Sequence, residues 1–435
     1  MSITGTTMTD QLAVQITGGR RLTGSTTVQG SKNIALHLYA AAILADAPLV
    51  LHGAPAILDT GVVAEILNRT GTPTAVAGEE FTTRPATSYL PVVPDDLGRR
   101  IRTTPVLGGA LLTRAGQVTF PTPGGDAFCV RRIDRHLAAM EAAGAAVEVD
   151  NGLVRARFTG RRRPFVTDAE TRSWGPSLGA TVTAMLLAAR TPGTSTVLNP
   201  SVEPEVIHAA ALLASAGVPI EWQGRAALHV TGADRIAGGD FTVPPDRLEA
   251  ATLALAAAIT GGTVHLDRFP AAAFPDGLAS VLTSAGIRLD PIDGGTTIDA
   301  PSGPRPVQMA TGAHPGYPTD AQPQLTAYLT QADGISRIEE LVYTRRDTHL
   351  PALTAFGAAV NATGPVITVR GRTALKAADV TGDDIRAGTA LVIAALAAEG
   401  TSTIRGLYHL RRGYSCLLPK LADLGADLTV NQEMT

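Results

Sequence analysis

The sequence predicts an α/β protein of two domains, each assembled from three copies of a helix-and-strand unit of about 70 residues. Two recurring phrases and the chain length support this. In the first phrase an Ala/Leu-rich stretch ends on a glycine and runs directly into a β-prone segment. The glycines are Gly71, Gly144, Gly217, Gly286, Gly357 and Gly425, and Leu282-Thr283-Ser284-Ala285-Gly286-Ile287 is a well-preserved copy. A left-handed glycine closes a helix without strain, so each copy reads as a passage from helix to strand. The second phrase interleaves with the first, as Gly193-Thr194-Ser195-Thr196-Val197-Leu198 and Gly400-Thr401-Ser402-Thr403-Ile404 illustrate. At 435 residues the chain exceeds what one core usually supports, and six units divide into three plus three.

In chain order, Leu12–Ile16 reads as a strand, Gly18-Gly19 as a turn and Gly24–Val28 as a second strand. Gly30-Ser31-Lys32-Asn33 then opens the apolar helix Ile34–Ala45. The first three units occupy residues 32–244 and the last three residues 245–435. Between them, Val243-Pro244-Pro245-Asp246 has the proline content of a boundary, and Asp246-Arg247-Leu248-Glu249 starts an Ala-rich helix. Two lobes joined by short connections leave a cleft, the usual place for a small-molecule site.

Composition narrows the function classes. Hydrophobic residues make up 45% and aromatics only 4%, so the cores must be packed with Ala, Leu, Val and Ile. No basic start followed by an apolar run appears in residues 1–18, and no stretch approaches the ~18 apolar residues of a bilayer span, so a cytoplasmic protein is expected. Cys129 and Cys416 are too few for a disulfide framework or a zinc cluster. A net charge of −3 argues against nucleic acid as a partner. Of the 36 basic residues only Lys32, Lys376 and Lys420 are lysines, which makes each lysine a candidate to inspect.

Several segments could carry chemistry. Lys32 stands where a helix begins, a place that disfavours a cation unless an anion is shared there; the bland alternative is a solvated lysine near a turn. Pro121-Thr122-Pro123-Gly124-Gly125-Asp126 is a loop whose acid could donate a proton if closure strips it of water, or could be a plain surface acid. Asp320, in Tyr317-Pro318-Thr319-Asp320, could cap the following helix or accept a proton from a bound hydroxyl. Arg102, Arg346, Arg386 and Arg412 lie in weakly charged surroundings; singly each suits a surface ion pair, and together they suit a multiply charged anion.

Taken together, these segments resemble the enolpyruvyl transferases, most of all UDP-N-acetylglucosamine enolpyruvyl transferase, along essentially the whole chain. Gly30-Ser31-Lys32-Asn33 matches that family's Gly-Ala-Lys-Asn. Pro123-Gly124-Gly125 with Arg131 and Asp134 matches its catalytic loop, and Ser177-Leu178-Gly179-Ala180-Thr181 matches its Ser-Val-Gly-Ala-Thr. Glu203-Pro204-Glu205, Pro245-Asp246-Arg247, Tyr317-Pro318-Thr319-Asp320, Asp384-Ile385-Arg386-Ala387 and Arg412-Gly413-Tyr414 follow in the family's order.

The resemblance implies a two-domain inverse α/β barrel, each domain three βαβαββ units with helices inside, residues 1–31 belonging with 245–435. It also implies the reaction: the enolpyruvyl group of phosphoenolpyruvate moves to an acceptor hydroxyl of a uridine nucleotide and phosphate leaves, with no metal or organic cofactor. Lys32, Asp126, Asp320 and Arg412 would be catalytic, Asp320 as base and Asp126 as proton donor to C3. Asn33, Arg102, Arg131, Asp134, Ser177, Gly179, Glu203, Asp246, Arg346, Asp384 and Arg386 would bind substrate. The cations among them would neutralise about three negative charges on phosphoenolpyruvate.

Four departures bear on inhibitor and acceptor, one of them Arg345-Arg346-Asp347 in place of the family's Asn-Arg-Phe around the domain-two arginine. Asp126 stands where most members carry the cysteine that fosfomycin alkylates. Gly175 replaces a lysine that contacts nucleotide phosphates, and Arg131-Arg132-Ile133-Asp134 replaces the uracil-contacting Arg-Pro-Val-Asp. Such drift fits a different uridine nucleotide, such as the uridine monophosphate of nucleoside-antibiotic pathways. The Gly-Ser-Lys-Ser and Asn-Ala-Gly-Thr stretches of the shikimate 3-phosphate enzymes are absent. A silent nucleotide-binding paralogue is the reading of another class, and it gives no reason to keep the proton-transfer residues.

Overall fold

The computed structural model describes residues 12–125, 129, 132–171 and 175–432. The described residues form two compact units, one of residues 30–125, 132–171 and 175–244 and one of residues 12–29, 129 and 245–432. Each has its own continuous apolar core.

All six phrase-ending glycines adopt the left-handed conformation, with φ between 89° and 104°. Gly217 shows the mechanism: its N–H donates to Ala214 O at 3.1 Å while Val218 N–H reaches back to Leu213 O at 2.9 Å. These paired bonds satisfy the last carbonyls of the helix and turn the chain into the next strand.

The first helix of each unit-sized repeat is buried nearly all round. In the first compact unit these are Lys32–Ala42, Thr104–Ala115 and Leu178–Ala188; in the second, Arg247–Ile259, Gln322–Leu329 and Ile385–Ala397. Small residues make this possible. A Cβ on Gly109 would sit 2.8 Å from Thr183 Cγ2, so these two helices approach almost backbone to backbone. Buried threonines satisfy their hydroxyls inside their own helix, as Thr113 does by donating to Gly109 O at 2.7 Å.

In the first unit these helices run the same way, and their carboxyl ends meet a knot of arginines. Asp46 accepts hydrogen bonds from Arg114 at 2.8 Å, from Arg190 and from Ile236 N at 2.9 Å, while Arg190 also donates to Leu44 O at 2.6 Å. Burial would raise the Asp46 carboxyl, but the Ile236 N–H and the two guanidinium groups outweigh it and hold the pKa at about 2. Cations gathered at helix carboxyl ends complement the dipoles there. The amino ends stay available for a site.

Apart from the two-stranded antiparallel pair of Glu170–Thr171 with Gly175–Pro176, the sheets follow one plan: a parallel edge strand, then two antiparallel neighbours. Val166–Asp168 pairs in parallel with Thr194–Leu198, which pairs antiparallel with Ala227–Thr231, and that with Ile220–Gln223. The sheet of Gln117–Pro121, Leu153–Phe158 and Ala145–Asp150 has three strands, its parallel edge reduced to the single bridge between Val92 and Thr119. The amino-terminal strand Leu12–Thr17 fills the central place in the last sheet, with Val14 opposite Ile404 on one side and Val430 on the other. Leu12–Thr17 therefore belongs to the sheet of the final repeat. The second predicted strand is Thr23–Thr27, parallel to Thr263–Asp267.

Candidate functional site

In the first unit the candidate residues gather at the amino ends of the buried helices. Ser31 caps the Lys32–Ala42 helix, its hydroxyl accepting from Ile34 N at 3.5 Å. Lys32 is buried, and its Nζ lies 2.8 Å from Oδ2 of Asp59, itself only 5% exposed on the next helix. An ammonium at a helix amino end faces like partial charge, and Asp59 is the anion that offsets it. Sequence reasoning missed Asp59, whose role arises from folding across 27 residues. Gly30 is required by close approach, since a Cβ there would fall 1.7 Å from Gly53 O.

Arg102 stands two residues ahead of the Thr104–Ala115 helix and donates from Nη2 to Arg132 O at 3.1 Å. Ser177 caps the Leu178–Ala188 helix through Ala180 N at 3.3 Å. Gly179 packs directly against the ring of His136, whose Cε1 would lie 2.6 Å from an added Cβ. His136 Nδ1 lies 2.8 Å from Thr183 Oγ1. Burial first, then the charges of Arg102 and His37, hold the His136 pKa well below its ordinary value. His37 is likewise lowered by burial; its Nδ1 bonds Asn33 O at 2.6 Å, and the charge of buried Glu205 opposes the shift. Arg102, Gly179 and the Asn33–His37 turn thus converge on one buried, neutral imidazole. Glu203 occupies the cap position of the Pro204–Ser215 helix without a side-chain cap bond. Asp134 begins the Asp134–Ala142 helix with its carboxylate 69% exposed, away from this cluster's buried interior. Asp126 and Arg131 lie outside the described residues.

The second unit carries the strongest electrostatic feature. Arg346 Nη1 donates to Asp320 Oδ1 at 2.6 Å and Arg386 Nη2 donates to Asp320 Oδ2 at 3.0 Å. Both arginines are almost wholly buried, while the Asp320 side chain keeps 28% of its surface exposed and can be reached by a ligand. Burial would raise the Asp320 pKa, but the charges of Arg346 and Arg386, reinforced by their hydrogen bonds, outweigh it and hold the carboxyl far below the usual range. Asp320 lies in the short turn Thr319–Ala321 and makes no cap bond to the Gln322–Leu329 helix, so the capping role that its position suggests is replaced by the arginine clamp.

Each arginine has a second anchor. Arg346 Nη1 also reaches Thr319 Oγ1 at 3.1 Å, and Arg386 Nη1 donates to the Tyr414 hydroxyl at 2.9 Å. Thr252 Oγ1 stands 3.0 Å from that hydroxyl and spends its own proton on Leu248 O, so Tyr414 donates to Thr252 while accepting from Arg386. Asp384 caps the Ile385–Ala397 helix through the N–H groups of Arg386 and Ala387, both at 2.8 Å, and accepts from Thr348 at 2.6 Å. Burial opposes its ionisation, but these bonds and the Arg346 charge keep its carboxyl low. Asp246 caps the Arg247–Ile259 helix through Leu248 N at 2.8 Å. Arg412 is buried in the last turn of Leu407–Gly413. His349 nearby is fully buried and lowered to about 3 by burial, with Asp384 opposing and Arg346 assisting the shift.

The first unit thus carries a buried lysine paired with an acid at a helix start, and the second an acid clamped by two buried arginines. The chain belongs to the family of EPSP synthase (3-phosphoshikimate 1-carboxyvinyltransferase), whose model matches residues 16–421, and it is an enolpyruvyl transferase. It is 39% identical over 427 residues to a UDP-N-acetylglucosamine 1-carboxyvinyltransferase of Novosphingobium aromaticivorans, covering 95% of this chain and 97% of that one. UDP-N-acetylglucosamine 1-carboxyvinyltransferase 2 of Listeria monocytogenes is 35% identical over 425 residues, covering 97% and 98%. Among solved structures it resembles the enolpyruvyl transferase NikO from Streptomyces tendae, with a TM-score of 0.87, 28% identity, and coverage of 97% and 99%. EPSP synthase from Acinetobacter baumannii, at 17% identity and a TM-score of 0.76, shares the fold.

No group of His, Cys, Asp and Glu suited to hold a metal ion occurs among the described residues. No helix there is long and apolar enough to cross a membrane.

Proposed function

We propose that the chain transfers the enolpyruvyl group of phosphoenolpyruvate to a hydroxyl of a uridine nucleotide of the UDP-N-acetylglucosamine type, within two inverse α/β barrels. The observation that carries this reading is Asp320, a partly exposed carboxylate held by two buried arginines. Asp320 takes the proton of the acceptor hydroxyl as its oxygen attacks C2, and Asp126 gives a proton to C3. The resulting tetrahedral adduct then loses phosphate and a C3 proton, which restores the vinyl ether. Lys32 and Arg412, with Arg102, Arg131, Arg346 and Arg386, neutralise the phosphate and carboxylate charges that persist throughout.

The clamp suggests how Asp320 becomes a base. A carboxylate bound by two guanidinium groups is a weak base, but an anionic ligand that draws hydrogen bonds from Arg346 or Arg386 raises its proton affinity. Substrate binding thereby switches on the group that needs to act. Asn33, Asp134, Ser177, Gly179 and Glu203 of the first unit and the helix caps Asp246 and Asp384 of the second are the substrate-binding residues that the resemblance implies.

Uridine monophosphate is the second acceptor reading, favoured by Gly175 in place of a phosphate-contacting lysine and by the altered Arg131-Arg132-Ile133-Asp134 segment. Phosphate release measured with phosphoenolpyruvate and, in turn, UDP-N-acetylglucosamine, uridine monophosphate and shikimate 3-phosphate distinguishes the acceptors. Release with none of them refutes enolpyruvyl transfer by this chain and leaves the silent paralogue. Asp320→Asn abolishes turnover while sparing nucleotide binding if the base assignment is right.

A further inference from the structure

Glu340 is a buried carboxylate, 1% exposed, that the reaction above does not use. Its Oε1 accepts from the Thr311 hydroxyl at 2.8 Å and from the N–H groups of Val342 and Tyr343 at 3.0 and 2.9 Å. Its Oε2 accepts from the Thr319 hydroxyl at 2.9 Å. Three of these bonds hold the carboxylate in place and fold the loop leading to Arg346. The fourth points toward the clamp. Because Thr319 gives its proton to Glu340, its oxygen lone pairs face Arg346, whose Nη1 donates to Thr319 Oγ1 at 3.1 Å and to Asp320 Oδ1 at 2.6 Å.

We propose that Glu340 is a positioning residue for the transfer reaction, acting through the Thr319 hydroxyl to aim Arg346 at Asp320. The inference rests on the reading of Asp320 as the base. The chemistry demands a carboxylate, not only a side chain of that shape. In Glu340→Gln the remaining oxygen must stay on the two main-chain N–H groups, so the amide nitrogen turns toward Thr319 and donates to it. Thr319 then receives two donors, and its proton loses the carboxylate acceptor that kept the lone pairs turned to the guanidinium. Arg346 loses its second anchor. Losing one hydrogen bond to a charged group lowers kcat/KM by about tenfold to a hundredfold.

The test measures phosphate release from phosphoenolpyruvate by full-length variants, with UDP-N-acetylglucosamine or uridine monophosphate, whichever the unaltered chain turns over. Glu340→Gln and Thr319→Val each lower kcat, Thr319→Ser restores it, and the double variant is no worse than either single one. Thr311→Val strips a bond from Oε1, the oxygen that Thr319 does not touch, so it lowers the thermal midpoint but leaves kcat unchanged. Equal kcat losses in Thr311→Val and Thr319→Val overturn the proposal, as does a Glu340→Gln rate within about twofold of the unaltered chain. Should Glu340→Gln not fold, the Thr319 pair decides, and a Thr319→Val as active as Thr319→Ser overturns it. An active Asp320→Asn overturns the base reading itself, whereas an inactive one beside an unaffected Glu340→Gln overturns only the role of Glu340.

Discussion

Replacing Asp320 by asparagine keeps the shape of the side chain and removes the charge that two buried guanidinium groups share. The amide oxygen can accept from one arginine, at the 2.6 Å position of Arg346 or the 3.0 Å position of Arg386, while the amide nitrogen meets the other arginine donor to donor. Breaking a buried ion pair by removing one partner costs about 3–5 kcal/mol. The lower end applies here, because Arg346 keeps Thr319, Arg386 keeps Tyr414, and the carboxylate is 28% exposed. A loss of about 3 kcal/mol shifts the midpoint of a domain this size by about 6–12 °C at pH 7. The pH dependence follows from the direction of the shift. Asp320 is depressed in the folded state, so its contribution is complete above the unfolded pKa of about 3.9 and declines by ~1.4 kcal/mol per pH unit below it. The assay is urea unfolding of both proteins from pH 7 down to pH 3. A constant stability difference across that range, or none at pH 7, refutes the clamp as an electrostatic unit.

Three further outcomes are expected. Lys420→Met leaves Glu249, whose side chain is 0% exposed, without the ammonium 2.9 Å from each of its oxygens. Burial already pushes the Glu249 carboxyl up against the pull of Lys420, and losing Lys420 raises it further, so the variant loses stability as pH rises above the unfolded value of about 4.3. Urea unfolding should show a deficit of about 3–5 kcal/mol at pH 7 and far less at pH 4, and equal deficits contradict this. Gly179→Ala drives a methyl to within 2.6 Å of the His136 ring, which its contact with Thr183 pins, and costs about 1–3 kcal/mol; unchanged stability refutes the close approach. Fosfomycin forms no covalent adduct at Asp126, because a carboxylate is a poor nucleophile toward the epoxide, and mass spectrometry showing one overturns that expectation.

Local chemistry made the repeat legible without coordinates. Gly71, Gly144, Gly217, Gly286, Gly357 and Gly425 mark helix ends because a left-handed residue there is cheapest as glycine, and all six adopt that conformation. Lys32, Asp320 and Arg386 could be singled out as candidates because they stand in short phrases matching the family's, whereas the phrase around Arg346 departs from it.

What the sequence by itself determined was therefore the repeat, the helix ends and the inventory of charged candidates, all set by interactions between near neighbours. Only the tertiary structure decided the partners. Nothing local links Lys32 to Asp59, His136 to Gly179, or Asp320 to Arg346 and Arg386, and position alone made Asp320 a helix cap. It likewise decided that Leu12–Thr17 completes the last sheet, since a strand's neighbours are chosen by the sheet it can close and not by its own residues. Charge pairing in a buried site depends on distances of a few ångströms between groups brought together by packing, and those distances exist only once the chain has folded.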